Sequence, residues 1–223
     1  MNKKKLVIIG IGETAALAYE YFLHDSDYKP AAFSVNKEYI KEPYYLGLPV
    51  IPFESLEKEY PAEQYYAFVA MAGTHLNRDR ASMYFKTKSK GYTLASYVSS
   101  KAFVWHNVKI GDNCFILEDN TLQPFTEVGN NVIMWSGNHL GHRSIIRDNC
   151  FITSHCVISG FCEIGEYSYL GVNCCLADTV KIGRDNFIAM GAAVNKSTED
   201  NRMYAGVPAK DMGRDCKKHW KAE

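Results

Sequence analysis

The sequence lacks most of the features that announce a function at first sight. Neither sign of charge is in excess: 25 Lys and Arg stand against 25 Asp and Glu in 223 residues, a formal net charge of zero. That leaves no electrostatic case for a nucleic-acid or other polyanionic partner. No hydrophobic run approaches the roughly 20 residues of a membrane-crossing helix, so no membrane partner is expected. After Met1-Asn2-Lys3-Lys4-Lys5 only four apolar residues, Leu6–Ile9, precede Gly10. These are too few for the apolar region of a secretory signal, and the expected location is the cytoplasm. The seven cysteines are odd in number and form no CxxC pair. No Cys/His cluster has zinc-finger spacing, so no metal site is expected, and a disulfide scaffold does not suit a cytoplasmic chain of this size.

What the chain does have is a period. Stepping by six from Val104 gives Val104, Ile110, Ile116, Leu122, Val128, Met134, Leu140, Ile146, Ile152, Ile158, Ile164, Leu170, Leu176, Ile182, Ile188 and Val194, every one Leu, Ile, Val or Met. Four residues after each comes a small side chain, Val or Asn, and never a charge. Five of the cysteines (114, 150, 156, 162 and 174) fall in that column, where they read as small buried hydrophobes. The residue directly after the apolar position is often glycine, as at Gly111, Gly129, Gly141, Gly165, Gly171 and Gly183. A helix of 3.6 residues per turn would smear such a column around its cylinder, whereas short strands separated by corners keep it in register. The fold class expected for residues 99–200 is therefore an all-β left-handed parallel β-helix of hexapeptide repeats, with three hexapeptides, 18 residues, to each coil.

Residues 1–98 differ in texture. Leu6–Ile9 reads as a buried parallel strand, followed by Gly10-Ile11-Gly12-Glu13-Thr14-Ala15 and a helical stretch at Ala16–Leu23. Later strands are expected at Ala31–Val35, Pro49–Ile51, Tyr66–Met71 and Tyr92–Val98, with helices near Phe53–Tyr60 and Asn77–Lys88. This alternation predicts an α/β Rossmann-like domain. Its glycine turn has two readings, a tight turn without a ligand or a nucleotide-sugar site at a helix N-terminus. Ala15 replaces the third glycine of the dinucleotide fingerprint, and Ser34-Val35-Asn36-Lys37 stands where an acidic residue would meet a ribose. Both departures argue against NAD. Residues 201–223 form a closing segment and tail, with the last ten residues expected to be an amphipathic cap.

Three features together resemble the sialic acid O-acetyltransferase/bacillosamine N-acetyltransferase family of sugar acyltransferases. They are the opening at Val7–Ala15, the uninterrupted hexapeptide array, and the segment Gly206-Val207-Pro208-Ala209-Lys210, which matches the signature G-x-P-A-[KR]. The resemblance implies a homotrimer that binds acetyl-CoA between two β-helices and a nucleotide-linked sugar at the N-terminal domain. It implies that His142, in Gly141-His142, is the general base, and that the backbone N–H of Gly160 holds the thioester carbonyl. Coil arithmetic independently places Gly160 one coil beyond His142, roughly 5 Å away. The expected cofactor contacts are Gly160, Phe151, Val172, Met190, Pro208 and Lys210. The expected substrate contacts are Gly10, Gly12, Glu13, Thr14, Asn36 and His155, the last projecting from the middle of its strand. Arg143 stands where relatives often carry the acid that orients the histidine, so that role falls to another carboxylate or to none. The implied reaction is acetyl-CoA-dependent N-acetylation of a nucleotide-linked amino sugar, for surface polysaccharide or glycan synthesis. O-acetylation of a sugar hydroxyl and a non-catalytic β-helix scaffold are the alternatives. Serine O-acetyltransferase fits poorly, because that family opens with a helical domain.

Overall fold

The computed structural model describes residues 3–222, which divide into two units: residues 3–72 with 80–97, and residues 73–79 with 98–222. The segment 73–79 thus belongs with the hexapeptide array, although it precedes residue 98 in the chain. No described helix is long and apolar enough to cross a membrane.

The first unit is built on a five-stranded sheet. In chain order it contains β1 (Lys4–Ile9), α1 (Glu13–His24), β2 (Tyr28–Val35), β3 (Tyr44–Tyr45), β4 (Leu48–Pro52), the short helix α2 (Leu56–Glu59), β5 (Tyr66–Val69) and α3 (Arg78–Ser89), whose first two residues cluster with the second unit. The sheet order is β3-β4-β2-β1-β5, with β4, β2, β1 and β5 parallel and β3 antiparallel. Leu6, Val7, Ile8 and Ile9 are all buried, as a strand covered on both faces requires. The strand expected at Tyr92–Val98 is mostly irregular. A single bridge joins Leu94 to Ala67, and regular pairing begins only at Tyr97.

The second unit is a parallel β-helix. Sixteen two-residue strands each end on one of the apolar positions of the period, from Val104 to Val194. Each pairs in parallel with the strand 18 residues away, for example Leu122 with Leu140 and Leu140 with Ile158. The strands form three faces. Face 1 runs from Phe103–Val104 to Ala193–Val194, face 2 from Lys109–Ile110 to Lys181–Ile182, and face 3 from Tyr97–Val98 through Phe187–Ile188 to the terminal strands Arg202–Ala205 and Lys210–Asp215. Corner 1 follows face 1, corner 2 follows face 2 and corner 3 follows face 3. From Ile116 to Val194 the apolar column and the five cysteines form one continuous buried core, against which the partly buried Val104 and Ile110 pack.

The corners explain the rest of the repeat. From Ile110 to Ile188 the third residue after each apolar position adopts a left-handed conformation, as at Asn131 (φ 57°), Arg143 (φ 59°), Asn149 (φ 64°) and Phe161 (φ 57°). Asn tolerates that conformation better than most side chains. The buried Asn113, Asn131 and Asn149 also bond one another from coil to coil, each amide nitrogen donating to the next amide oxygen at 2.8 Å. The glycine after the apolar residue is a matter of space. A Cβ on Gly141 would lie 2.5 Å from the carbonyl carbon of Ser159 and 2.7 Å from the nitrogen of Gly160.

Residues 73–79 lie on the β-helix. Asn77 donates to the carbonyl of Tyr167, and Arg78 stacks on the Tyr167 ring and pairs with the buried Asp185. At the other end of the chain, α4 (Cys216–Trp220) is capped by the Asp215 side chain, which accepts from the Lys218 N–H. Burial pushes the Cys216 thiol up to about 12.

Candidate active site

Face 1 lies between corner 3 and corner 1, and nearly every site residue expected in this unit borders it. His142 sits on corner 1, exposed, with its backbone N–H donating to Gln123 Oε1 at 2.8 Å. One coil along, Gly160 occupies the same corner position. A Cβ there would lie 2.6 Å from His142 Cε1 and 3.0 Å from Nε2, so the imidazole rests over the bare glycine backbone. Phe161 meets the imidazole edge-on at 5.0 Å between centroids. Among the described residues no carboxylate bonds the His142 ring. Arg143 turns away from Gly160 and lays its guanidinium over Phe125, 4.6 Å from the ring centre.

The other border of face 1 is corner 3. Val172 and Met190 stand there one coil apart, 40% and 78% exposed. His155 is on this corner as well, which corrects the expectation that it projects from mid-strand. It occupies the left-handed corner position (φ 59°), and its imidazole lies where a side chain on Gly137 would be. His142 and His155 of one chain are therefore separated by the full width of face 1. Beyond Ala193 the face is closed by the segment carrying the G-x-P-A-[KR] match: Ala193 N–H donates to Gly206 and Ala209 N–H donates to Ala193. Pro208 and Lys210 are exposed on or beside that segment. Between the two corners runs a shallow groove of about 270 Å³, lined by Val157, Ser159, Cys175, Leu176, Ala177, Ala193, Val194 and Asn195.

Two expectations need correction. Phe151 does not border this groove: it is on face 3, 7% exposed, stacked on Tyr169 at 5.2 Å in a ladder that continues through Phe187 to Trp220. Its outward position in the hexapeptide is filled by the chain's own aromatic packing. Nor is the backbone N–H of Gly160 open to a ligand carbonyl in this structure, because it donates to Asp178 Oδ1 at 2.8 Å.

The remaining expected residues belong to the first unit. Gly10 (φ 130°) ends β1, where a Cβ would come 2.7 Å from the carbonyl oxygen of Ala70, so only glycine fits without a shift. Gly12 is the N-cap of α1 with open space around its Cα, and Glu13 and Thr14 follow in the first turn. Asn36 follows β2. The next N–H, of Lys37, donates to both carboxylate oxygens of Glu54 at 3.2 and 3.1 Å. An acidic group is thus present at the end of β2, brought there from 17 residues away rather than from the strand itself.

Sequence reasoning missed Asp178, Gln123 and the small residues lining the groove. Adding 18 to Gly160 would have found Asp178, and adding 18 to Ser159 would have found Ala177. The register of Gln123 with His142 has no comparable signal.

No protein-family model matches the chain. Solved structures do. PerB from Caulobacter crescentus, in complex with CoA and GDP-perosamine, is 25% identical over 94% of this chain and 97% of its own, with a TM-score of 0.82. The acetyltransferase domain of PglB from Neisseria gonorrhoeae FA1090, in complex with acetyl coenzyme A, is 22% identical over 94% of this chain and all of its own, with a TM-score of 0.83. WeeI from Acinetobacter baumannii AYE is 18% identical over 93% of this chain and 99% of its own, with a TM-score of 0.61. Over 94% of its length the chain therefore has the fold of PerB and of the PglB acetyltransferase domain, in keeping with the sugar acyltransferases that its repeat and closing motif resemble.

Proposed function

We propose that the chain is an acetyl-CoA-dependent N-acetyltransferase acting on a nucleotide-linked amino sugar. The observation that carries the reading is the exposed His142 imidazole lying over the side-chain-free Gly160 beside a groove of small residues. An imidazole can take and return a proton near neutral pH, and a narrow, largely apolar groove suits the pantetheine arm of coenzyme A. CoA and GDP-perosamine are bound in the PerB structure, which favours an amine over a hydroxyl as the acceptor.

The chemistry asks little of the protein. His142 removes a proton from the acceptor amine as the amine attacks the thioester carbon, then returns a proton to the departing thiolate. Backbone donors at corner 1 stabilise the charge that develops on the carbonyl oxygen. No enzyme nucleophile is needed, because the thiolate of coenzyme A is itself a good leaving group.

The finer assignments belong to the same proposal. The first unit acts as a Rossmann-like domain that receives the nucleotide-linked sugar around Gly10, Gly12, Glu13, Thr14 and Asn36. The β-helix is left-handed, and the active form is a homotrimer in the cytoplasm. A homotrimer accounts for an otherwise puzzling division, since His142 and Gly160 line corner 1 while His155, Val172 and Met190 line corner 3. Packing corner 3 of one copy against corner 1 of the next would gather both sets around one acetyl-CoA.

The test is coenzyme A release from acetyl-CoA with a panel of nucleotide-linked 3- and 4-amino sugars, with His142→Ala assayed in parallel. Turnover on one amine, reduced roughly 10²- to 10⁴-fold in the variant, is the expected result. Undiminished turnover in the variant would move the base elsewhere, and turnover only on hydroxyl acceptors would replace N- by O-acetylation.

A further inference from the structure

The corner that carries His142 also carries a carboxylate that the reaction scheme leaves unused. His142, Gly160 and Asp178 are spaced by 18 residues and occupy the same position in three successive coils. The imidazole lies over Gly160 from one side. From the other side Asp178 Oδ1 accepts the Gly160 N–H at 2.8 Å. The same device appears on corner 2, where Asn130 Oδ1 accepts from Asp112 N–H at 3.0 Å and Asp148 Oδ1 from Asn130 N–H at 2.7 Å. A side chain from the next coil satisfying a corner N–H is thus one of the ways this fold saturates its backbone. At Gly160 that bond falls on the amide next to the candidate base.

We propose that the Asp178 carboxylate is a built-in stand-in for the thioester carbonyl oxygen, and that the acyl group of acetyl-CoA must displace it from the Gly160 N–H. The inference rests on the acetyltransferase reading above. One N–H offers one hydrogen, so the carboxylate and the acyl oxygen compete for it. An ionised acceptor holds such a hydrogen more strongly than a neutral carbonyl does, so the exchange reduces affinity for the acylated donor. Free coenzyme A has no acyl carbonyl and binds without asking Asp178 to move. Asp178 therefore narrows the margin by which the enzyme prefers acetyl-CoA to its own product. Asp178 is exposed, so the displaced side chain is free to turn into solvent.

The comparison of acetyl-CoA with CoA isolates this effect from general electrostatics, because both ligands carry the same phosphates. Isothermal titration calorimetry without acceptor sugar, on the wild-type chain, Asp178→Ala and Asp178→Asn, reads it directly. In Asp178→Ala the ratio of the CoA Kd to the acetyl-CoA Kd rises by about threefold to tenfold, the range expected for losing one exposed charge-assisted competitor. In Asp178→Asn, which keeps an oxygen acceptor but no charge, the ratio rises by about twofold and the fold is retained. A ratio unchanged in both variants, with either ligand still bound, overturns the role of Asp178 and leaves the acetyltransferase reading standing. So does a parallel change in both affinities. A wild-type chain that binds neither ligand overturns the reading and the inference together.

Discussion

At the scale of single residues, two glycines in successive coils are glycine for different reasons, and the difference can be measured. A Cβ on Gly141 meets the backbone of Ser159 and Gly160 at 2.5 and 2.7 Å, and neither group can yield without moving a coil. Gly141→Ala should therefore destabilise the protein by about 1–3 kcal/mol, the usual range for overpacking, seen as a lower urea midpoint. The three atoms nearest a Cβ on Gly160 all belong to the ring of His142, an exposed side chain that can swing aside. Gly160→Ala should leave the urea midpoint nearly unchanged while kcat falls roughly 10- to 100-fold, because the base is moved from its place. Gly141 was legible in the sequence as part of the repeat. That Gly160 answers to a side chain and not to the backbone was not, because no rule of spacing says which way an imidazole leans.

At the scale of elements, the faces of the β-helix are alike in their interior and different outside. Every strand sends the same class of side chain inward, so the period is visible over the whole array. The outward side chains obey no period. Face 1 carries Val157, Cys175 and Ala193 along the groove, whereas face 3 carries the ladder Phe151, Tyr169 and Phe187, which Trp220 of α4 extends. For this reason Phe151 could be placed as outward from the sequence but not as buried. Its removal separates the two roles: Phe151→Ala should cost about 3–5 kcal/mol in urea unfolding, with the acetyl-CoA Kd within about twofold of wild type. A large loss of affinity in a stably folded variant would return Phe151 to the donor site.

At the scale of the whole molecule, pH reports on what both units bury. Burial raises Tyr92 in the first unit and Cys216 in the second to about 12. Unfolded, a tyrosine releases its proton near 10 and a thiol near 8.5. Between those values and about 12 the unfolded chain binds fewer protons than the folded one, so stability falls as pH rises. It is fully present below about pH 8. Urea midpoints should be level from pH 7 to 8 and decline through pH 9 to 11, and Tyr92→Phe with Cys216→Ala should flatten that decline. A decline of the same steepness in the double variant would assign it to other groups.

The sequence by itself determined the β-helix, its 18-residue coil, the inward column and the adjacency of His142 and Gly160. All of these follow from a strictly repeating pattern, in which neighbours in space are neighbours by arithmetic. It also marked the alternating strands and helices of the first unit, missing the short β3 and overextending the last strand, since neither bears a strong local signal. Only the tertiary structure decided what the outward groups do. It placed Phe151 inside an aromatic stack, His155 on a corner, Glu54 at the end of β2 and Asp178 on the Gly160 N–H. The physical reason is common to all four. Inward side chains are dictated by the need to exclude water, which is periodic here, whereas outward ones depend on which partner packing brings within hydrogen-bonding or stacking distance, and no period carries that information.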